Sequence, residues 1–229
     1  MAPTPTLLIG NKNYSTWSLR PWLLLRHAGI PFAEKQLSFN NPDFADAVRR
    51  LAPPSAGKVP VLIDGDVVVW DSLAIAEYVA ETHPDKRLWP APAAARAHAR
   101  AVCAEMHSGY ADLRGRMRMN CQVRLTNVLF DVTVQREVAR MADMWTTCRK
   151  NFGAGGPFLF GHFTIADAFF APVTQRFTGY GVRLPAVAQQ YVDTIQALPA
   201  MQEWVAAARA ETDFVPHDEL YREDSSSPG

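Results

Sequence analysis

The stretch from Leu7 to Trp22 constrains the fold most, because it changes from a strand pattern to a helix pattern within a few residues. Leu7, Leu8 and Ile9 form an apolar run without polar alternation, which is typical of a strand buried on both faces. Beyond Ser15 the apolar residues recur at helical spacing, at Leu19, Trp22, Leu23 and Ile30. The sequence therefore predicts a strand, a tight turn and a helix, and such a turn presents backbone N–H groups and a partial positive charge to an anion.

The balance of charged residues and the use of cysteine exclude several classes of protein. Lys plus Arg equals Asp plus Glu at 23 each, which argues against a nucleic-acid partner, since such binding depends on an excess of positive charge. No apolar run approaches the roughly 20 residues of a membrane span, and no secretory signal is visible at the N-terminus. Three widely spaced cysteines do not suggest a disulfide framework. We therefore expect a cytoplasmic protein with neither a nucleic-acid nor a membrane partner.

The first ninety residues predict a small α/β unit of the order β-α-β-α-β-β-α. Residues 32–37 favour a second strand and residues 43–51 a short helix. Residues 58–70 predict two strands joined at Asp64-Gly65, a dipeptide that favours hairpin turns. Asp71-Ser72 directly precedes a helical pattern, so we expect one of the two to cap that helix.

The second half is rich in Ala, Arg and Met and predicts helices. Three prolines within residues 83–93 suggest a linker, which gives the boundaries 1–83, 84–93 and 94–229. The helices are expected at 93–119, 123–150, 165–177, 186–197 and 200–210, with a loose tail at 219–229. Thr164 stands three residues before Asp167, a capping-box spacing, to which we assign a structural and not a catalytic role.

These features together resemble the cytosolic glutathione transferase superfamily. The resemblance rests on Val59-Pro60 before the third strand, on Asp71-Ser72 and on Thr164-Ile-Ala-Asp167, and it extends over nearly the whole chain. The segment 15–20 is similar to the serine-bearing segment of the zeta-like and related bacterial classes. Zeta enzymes, which include maleylacetoacetate isomerase, have cysteine where this chain has Trp17. The resemblance implies a thioredoxin-like α/β domain followed by an all-α helical domain, and it favours a general transferase over the isomerase.

The resemblance also implies where the sulfur of glutathione would bind. A free thiol has a pKa of about 8.5, so a transferase has to lower that pKa to make the thiolate available at neutral pH. The matching hydroxyl donor is Ser15, and Tyr14 is the alternative used by the tyrosine-type classes. A Ser15 that only caps the helix remains a competing interpretation.

Three residue pairs are expected to hold the rest of the tripeptide. Pro60 resembles the family's cis-proline, which would direct the backbone of Val59 to the cysteinyl unit, although a trans proline at a strand end remains possible. Ser72 could bind the γ-glutamyl carboxylate and Asp71 the ammonium, or Asp71 could be an ordinary N-cap. Lys58 and Asn40 are the candidates for binding the glycine carboxylate, although solvated loop residues would have the same sequence pattern.

The sequence thus predicts a glutathione transferase that uses glutathione as co-substrate, acts on a small electrophile, needs no metal and forms a homodimer, with detoxification as its role. A glutathione-dependent isomerase and a non-catalytic binding or regulatory protein are the alternatives. His98 and His107 fall on opposite sides of a helix, so they are not expected to bind a metal. A basic cluster could be a solvated or intersubunit face, or could border the second-substrate pocket: Arg114, Arg116, Arg118 and Arg124.

Overall fold

The computed structural model describes residues 3–125 and 128–220. Its first half is a mixed sheet of four strands in the order β2-β1-β3-β4, in which β1 is parallel to β2 and antiparallel to β3. The strands are β1 (Thr6–Ile9), β2 (Ala33–Gln36), β3 (Val61–Asp64) and β4 (Val67–Trp70). The helices of this half are α1 (Thr16–His27), α2 (Phe44–Leu51) and α3 (Ser72–Thr82). The predicted β-α-β-α-β-β-α order is confirmed.

Local sequence chemistry explains how this half is assembled. Leu7, Leu8 and Ile9 of β1 are fully buried, as expected of a strand covered on both faces. β3 and β4 pair antiparallel from Asp64 opposite Val67, and Gly65 in the turn has a φ of +59°, which glycine adopts at little cost. The hairpin predicted from Asp64-Gly65 is therefore confirmed.

The second half is helical. It consists of α4 (Ala93–Ser108), α5 (Ala111–Arg116), α6 (Val132–Phe152), α7 (Ile165–Gly179), α8 (Ala186–Gln196) and α9 (Pro199–Ala210). Two short 3-10 turns cover Pro84–Lys86 and Pro216–Asp218. No helix within the described ranges is long and apolar enough to cross a membrane.

The prediction of two long helices at 93–119 and 123–150 is wrong. The first ends at Ser108, because Tyr110 adopts a left-handed conformation with a φ of +60°, and a separate short helix follows. No helix is described within residues 117–131. Two N–H groups of this segment bond to distant residues: that of Cys121 to the Asn13 side chain and that of Leu125 to the Gly179 carbonyl. Tertiary hydrogen bonds therefore replace helical ones in this segment.

The start of α7 lies in the centre of the helical half. The buried carboxylate of Asp167 accepts from the Thr164 N–H at 2.8 Å and from the Leu159 N–H at 3.2 Å, which confirms the capping box. Burial raises the pKa of Asp167 to about 6. α7 continues through Pro172 and packs against α1 and α4, so the helical half covers the helix that follows β1.

The loop between β1 and α1 is held by the helical half. The Glu211 carboxylate accepts from the N–H groups of Lys12 and Asn13, at 2.7 and 3.1 Å, and the Trp204 indole donates to the Lys12 carbonyl. The Asn13 side-chain oxygen accepts from the N–H of Cys121. These bonds fix the loop that leads into α1. Of the predicted tail at 219–229, residues 221–229 lie outside the described part of the chain.

Candidate active site

A cleft of about 690 Å³ lies between the start of α1, the loop before β3 and the helical half. The first half lines it with Tyr14, Ser15, Trp17, Lys58 and Val59, and the second half with Arg114, Arg118, Arg176, His217 and Asp218. The cleft thus combines hydroxyl groups on one wall with guanidinium groups on the other, which suits an anionic ligand.

Ser15 lies on the cleft wall as the N-cap of α1. Its Oγ accepts from the Ser18 N–H at 3.3 Å and lies 2.7 Å from the Ser18 Oγ, which in turn accepts from the Gly10 N–H. The bond between Ser15 and Ser18 joins two hydroxyls, and either can be the donor after rotation of its hydrogen. When Ser18 donates, the hydrogen of Ser15 is free for a ligand in the cleft.

Tyr14 borders the same cleft, but its hydroxyl already has a partner. It donates to the carboxylate of Glu219 in the C-terminal segment. Burial, followed by that hydrogen bond, raises the pKa of Tyr14, so the phenol stays protonated and committed to Glu219. Of the two predicted sulfur donors, Ser15 is therefore the one without an acidic side-chain partner among the described residues.

Lys58 and Val59 also line the cleft, at the entrance to β3. The Val59–Pro60 peptide bond is cis, as the sequence predicts. Lys58 lines the cleft without an ion pair to any carboxylate of the described residues. Its ammonium is free to receive an anionic group.

Asp71 and Ser72 begin α3. Asp71 is the N-cap with a φ of +74°, and its carboxylate accepts from the Leu73 N–H at 2.7 Å and lies 3.3 Å from the His107 Nε2. Ser72 is fully buried, and the nearest guanidinium nitrogen, Nη1 of Arg20, is 3.4 Å from its Oγ. Asp71 thus has the N-cap role given above as the competing interpretation, and its proximity to His107 was not predicted.

Asn40 is not among the residues that line the cleft. Its amide donates to the Asp213 carboxylate and to the Phe214 carbonyl of the C-terminal segment. Asp213 also accepts from the side chains of Asn11 and Ser38. Sequence reasoning missed this segment, residues 211–220, because its polar residues follow neither a helical nor a strand period.

The predicted basic cluster separates in the structure. Arg114 stacks on Trp17, with its guanidinium carbon 4.6 Å from the ring centroid, and Arg118 donates to Asp218 at 2.9 Å. Arg116 instead pairs with Asp131, and Arg124 bonds the neighbouring Val123 carbonyl, so neither lines the cleft.

Arg176 joins the cleft wall from α7. It is buried, its Nε donates to the Met117 carbonyl at 2.6 Å, and burial, reinforced by Arg114, lowers its pKa to about 10. With Arg114 and Arg118 it makes the helical side of the cleft positively charged. Arg176 falls within the helix predicted at 165–177, but no local signal showed that it faces the cleft.

Histidine and cysteine do not cluster here. The His98 ring packs near Phe152 and Phe160, whereas His107 contacts the edge of Trp17. Within residues 3–125 and 128–220, no three His, Cys, Asp or Glu side chains are placed to hold a metal ion.

Family models match both halves of the chain. The N-terminal domain of glutathione S-transferase matches residues 14–82, and the C-terminal domain of the same family matches residues 131–207, which together cover more than half of the chain. The chain belongs to the cytosolic glutathione transferase superfamily. The fold predicted from the sequence, a thioredoxin-like domain followed by a helical domain, is confirmed.

Individual relatives agree with this assignment. A probable maleylacetoacetate isomerase of Caenorhabditis elegans is 32% identical over 105 residues, which are 46% of this chain and 47% of that protein, so the alignment spans about half of its length. A glutathione transferase homologue from Burkholderia with bound glutathione is 23% identical, with a TM-score of 0.66 over 91% of this chain and 100% of that one. A diazinon-metabolizing transferase of the silkworm Bombyx mori is 16% identical, with a TM-score of 0.71 over 90% and 98% of the two chains.

Proposed function

We propose that this glutathione transferase binds glutathione in the cleft, stabilises its thiolate and directs it at a small electrophile. The observation that carries the proposal is the Ser15 hydroxyl, which lies on the cleft wall at the start of α1 and faces a wall of arginines. Membership of the family supports the same activity.

The available groups are sufficient for the chemistry. Lowering a thiol pKa of about 8.5 by roughly two units requires about 2.7 kcal/mol of differential stabilisation. A hydrogen bond to an anion contributes about 1.5–3 kcal/mol, and a helix N-terminus contributes up to about 2 kcal/mol. Ser15 supplies the first and α1 the second. Glutathione is the co-substrate, and the proposed reaction needs no metal.

Groups that could pair with the ends of the tripeptide lie along the cleft and at the start of α3, whose Asp71 and Ser72 are not among the residues that line the cleft. The backbone of Val59, beside the cis Pro60, would pair with the cysteinyl unit, and Ser72 would donate to the γ-glutamyl carboxylate. Asp71 would receive the ammonium in competition with His107. Lys58 would bind the glycine carboxylate, whereas Asn40 could do so only after leaving Asp213.

Calorimetric titration with glutathione, followed by a conjugation assay with 1-chloro-2,4-dinitrobenzene, tests the proposal. We expect saturable binding and a glutathione-dependent increase in product. Absence of binding at millimolar glutathione would refute the proposal. Binding without turnover on a panel of electrophiles would instead favour the non-catalytic binding or regulatory protein.

A glutathione-dependent isomerase is the second candidate, and the charge of the cleft favours it. Arg118 and Arg176 could bind the two carboxylates of a diacid such as maleylacetoacetate, the compound in the name of the Caenorhabditis elegans relative. Trp17 stands where zeta enzymes have cysteine, which weakens the match. Glutathione-dependent isomerisation of maleylacetoacetate at a rate above that of conjugation would establish this candidate.

The remaining expectations concern assembly and compartment. We propose a homodimer, because β4 exposes the apolar side chains of Val67 and Trp70, at 45% and 46% of their surface. Light scattering in solution tests it, and a monomer at micromolar concentration would refute it. The free thiols of Cys103, Cys121 and Cys148 suit a reducing compartment, so we propose a cytoplasmic location, testable by cell fractionation, and a role in detoxification.

A further inference from the structure

Arg20 is a buried cation whose position none of the functions above uses. It lies in α1 with 2% of its surface exposed, between the rings of Trp17 and Phe169. Its guanidinium carbon is 4.3 Å from the first ring centroid and 4.7 Å from the second. Nη1 points to the Oγ of Ser72 at 3.4 Å. The guanidinium of Arg20 is therefore adjacent to Ser72, the first residue of α3.

The charge of Arg20 has no counter-ion in this arrangement. Among the described residues no carboxylate is within ion-pair distance of its guanidinium, and its Nε has no hydrogen-bond partner. The nearby Asp71 carboxylate accepts from the Leu73 N–H and approaches His107 instead. Burial, followed by repulsion from Arg114 and Arg176, lowers the pKa of Arg20 to about 9.

A cation kept in this state is costly unless an anion approaches it. Removing a charge from water is unfavourable without a partner. If this position had only a structural role, an apolar side chain would stabilise the fold better than arginine. The dipole at the start of α3 favours an anion, although the Asp71 carboxylate already accepts from the Leu73 N–H. Nη1 of Arg20 donates to Ser72, which leaves the Ser72 hydrogen free to point at that anion.

We propose that Arg20 is a positioning residue that selects the α-carboxylate of the γ-glutamyl unit through Ser72. The proposal rests on glutathione being the ligand of the cleft. Arg20 need not touch the carboxylate: its donation orients the Ser72 hydroxyl, and its charge stabilises the bound anion through one intervening group. In return, the ligand supplies the counter-charge that the guanidinium lacks.

The test compares two ligands that differ by one group. Glutathione carries the α-carboxylate, and 4-aminobutanoyl-cysteinyl-glycine is the same molecule without it. By calorimetry, we expect Arg20→Met to weaken binding of glutathione by about 10- to 100-fold, the range of a charge-assisted hydrogen bond, and binding of the analogue by less than about threefold. Arg20→Lys should retain most of the preference for glutathione, because it keeps the charge.

A matched control separates this role from the packing of a stacked arginine. Arg100 lies over the Trp89 ring at 5.5 Å but pairs with Glu77 outside the cleft lining. Arg100→Met should leave both affinities unchanged. Should Arg20→Met fail to fold, Arg20→Gln takes its place, and the glutamine variant must lose the discrimination that the lysine variant retains.

The possible outcomes separate this proposal from the proposed function. Equal weakening of both ligands by Arg20→Met would overturn it and leave Arg20 a structural residue. Wild-type protein that binds both ligands equally well would overturn it too, while leaving glutathione binding intact. Wild-type protein that binds neither ligand would refute the proposed function itself.

Discussion

The side-chain oxygens of Ser15 and Ser18 lie 2.7 Å apart in the first turn of α1. Ser15, the proposed sulfur donor, is therefore hydrogen-bonded to a second hydroxyl. Ser18 is fully buried and is held in turn by the Gly10 N–H. These two hydrogen bonds fix the position of the Ser15 oxygen, while its hydrogen can still rotate. The catalytic proposal depends on that freedom.

Substitution of Ser15 separates its two roles. Ser15→Ala should lower kcat/KM about 10- to 100-fold and raise the pH of half-maximal turnover by about one to two units, because a thiolate donor is lost. It should also reduce the free energy of unfolding by about 1 kcal/mol through loss of the N-cap. pH–rate profiles and urea unfolding measure the two effects.

Ser15→Gly is the matched control, because glycine caps helices almost as well as serine but has no hydroxyl. We expect near wild-type stability with the same change in the pH profile as in the alanine variant. An unchanged profile in both variants would contradict the assignment of Ser15 as sulfur donor.

Substitution of Tyr14 tests the alternative donor. Since the Tyr14 hydroxyl donates to Glu219, Tyr14→Phe should leave the pH of half-maximal turnover within about 0.3 units, well below the effect of losing a thiolate donor. Glu219→Gln provides the comparison from the other side of the bond. A pH shift in Tyr14→Phe as large as that in Ser15→Ala would transfer the role to Tyr14.

Asp167 makes stability depend on pH in an unusual direction. Its folded-state pKa of about 6 is above the ordinary value of 3.8, so the folded protein takes up a proton between pH 6 and 4 that the unfolded chain does not. The contribution of this group to stability therefore rises as pH falls through that window, by up to about 1.4 kcal/mol per pH unit. Chemical unfolding of wild type and Asp167→Asn at pH 7 and pH 5 tests this. The free energy of unfolding of the wild type should increase, relative to that of the variant, as the pH falls from 7 to 5.

The hydrogen bonds of Asp167 give a second expectation. Asp167→Ala leaves the buried N–H groups of Leu159 and Thr164 without their acceptor, which should cost about 2–4 kcal/mol. Asp167→Asn keeps an acceptor oxygen and should cost less. Equal stability of the alanine variant and the wild type would show that the capping box does not stabilise α7.

Arg118 should influence which electrophiles react. Arg118→Met removes one positive charge from the cleft wall, so KM should rise about 5- to 20-fold for a carboxylate-bearing electrophile, the effect of about 1–1.8 kcal/mol, and stay within twofold for a neutral one. Arg116→Met, which removes a charge paired with Asp131 outside the cleft lining, is the control. A similar loss for both electrophiles would point to the Asp218 contact and not to substrate charge.

Features encoded by short stretches were predictable from the sequence. The buried run at Leu7–Ile9, the Asp64-Gly65 hairpin and the Thr164–Asp167 box each depend on neighbours in the chain, so their patterns are visible without a structure. Ser15 could be placed in the tight turn before α1 for the same reason, whereas the place of Val59 on the cleft followed only from the family resemblance.

Features that depend on distant partners were not predictable. Residues 117–131 have enough apolar and charged residues for a helix, but Asn13 and Gly179 provide competing acceptors from elsewhere in the fold. In the sequence Arg20 is an ordinary helical arginine, and its contacts with the rings of Trp17 and Phe169 are visible only in the structure. The local sequence of Asn40 is that of a solvated loop residue, and its bond to Asp213, more than 170 positions away, is visible only in the structure.

The bonds from Glu211, Trp204 and Cys121 to the loop before α1 have a consequence for engineering and evolution. A chimaera that joins this α/β half to the helices of another transferase would keep every proposed thiol-binding side chain and still lose the scaffold that shapes their turn. We therefore expect the two halves to be exchangeable only together with these bracing contacts, and we expect the proposed sulfur chemistry to depend on both halves.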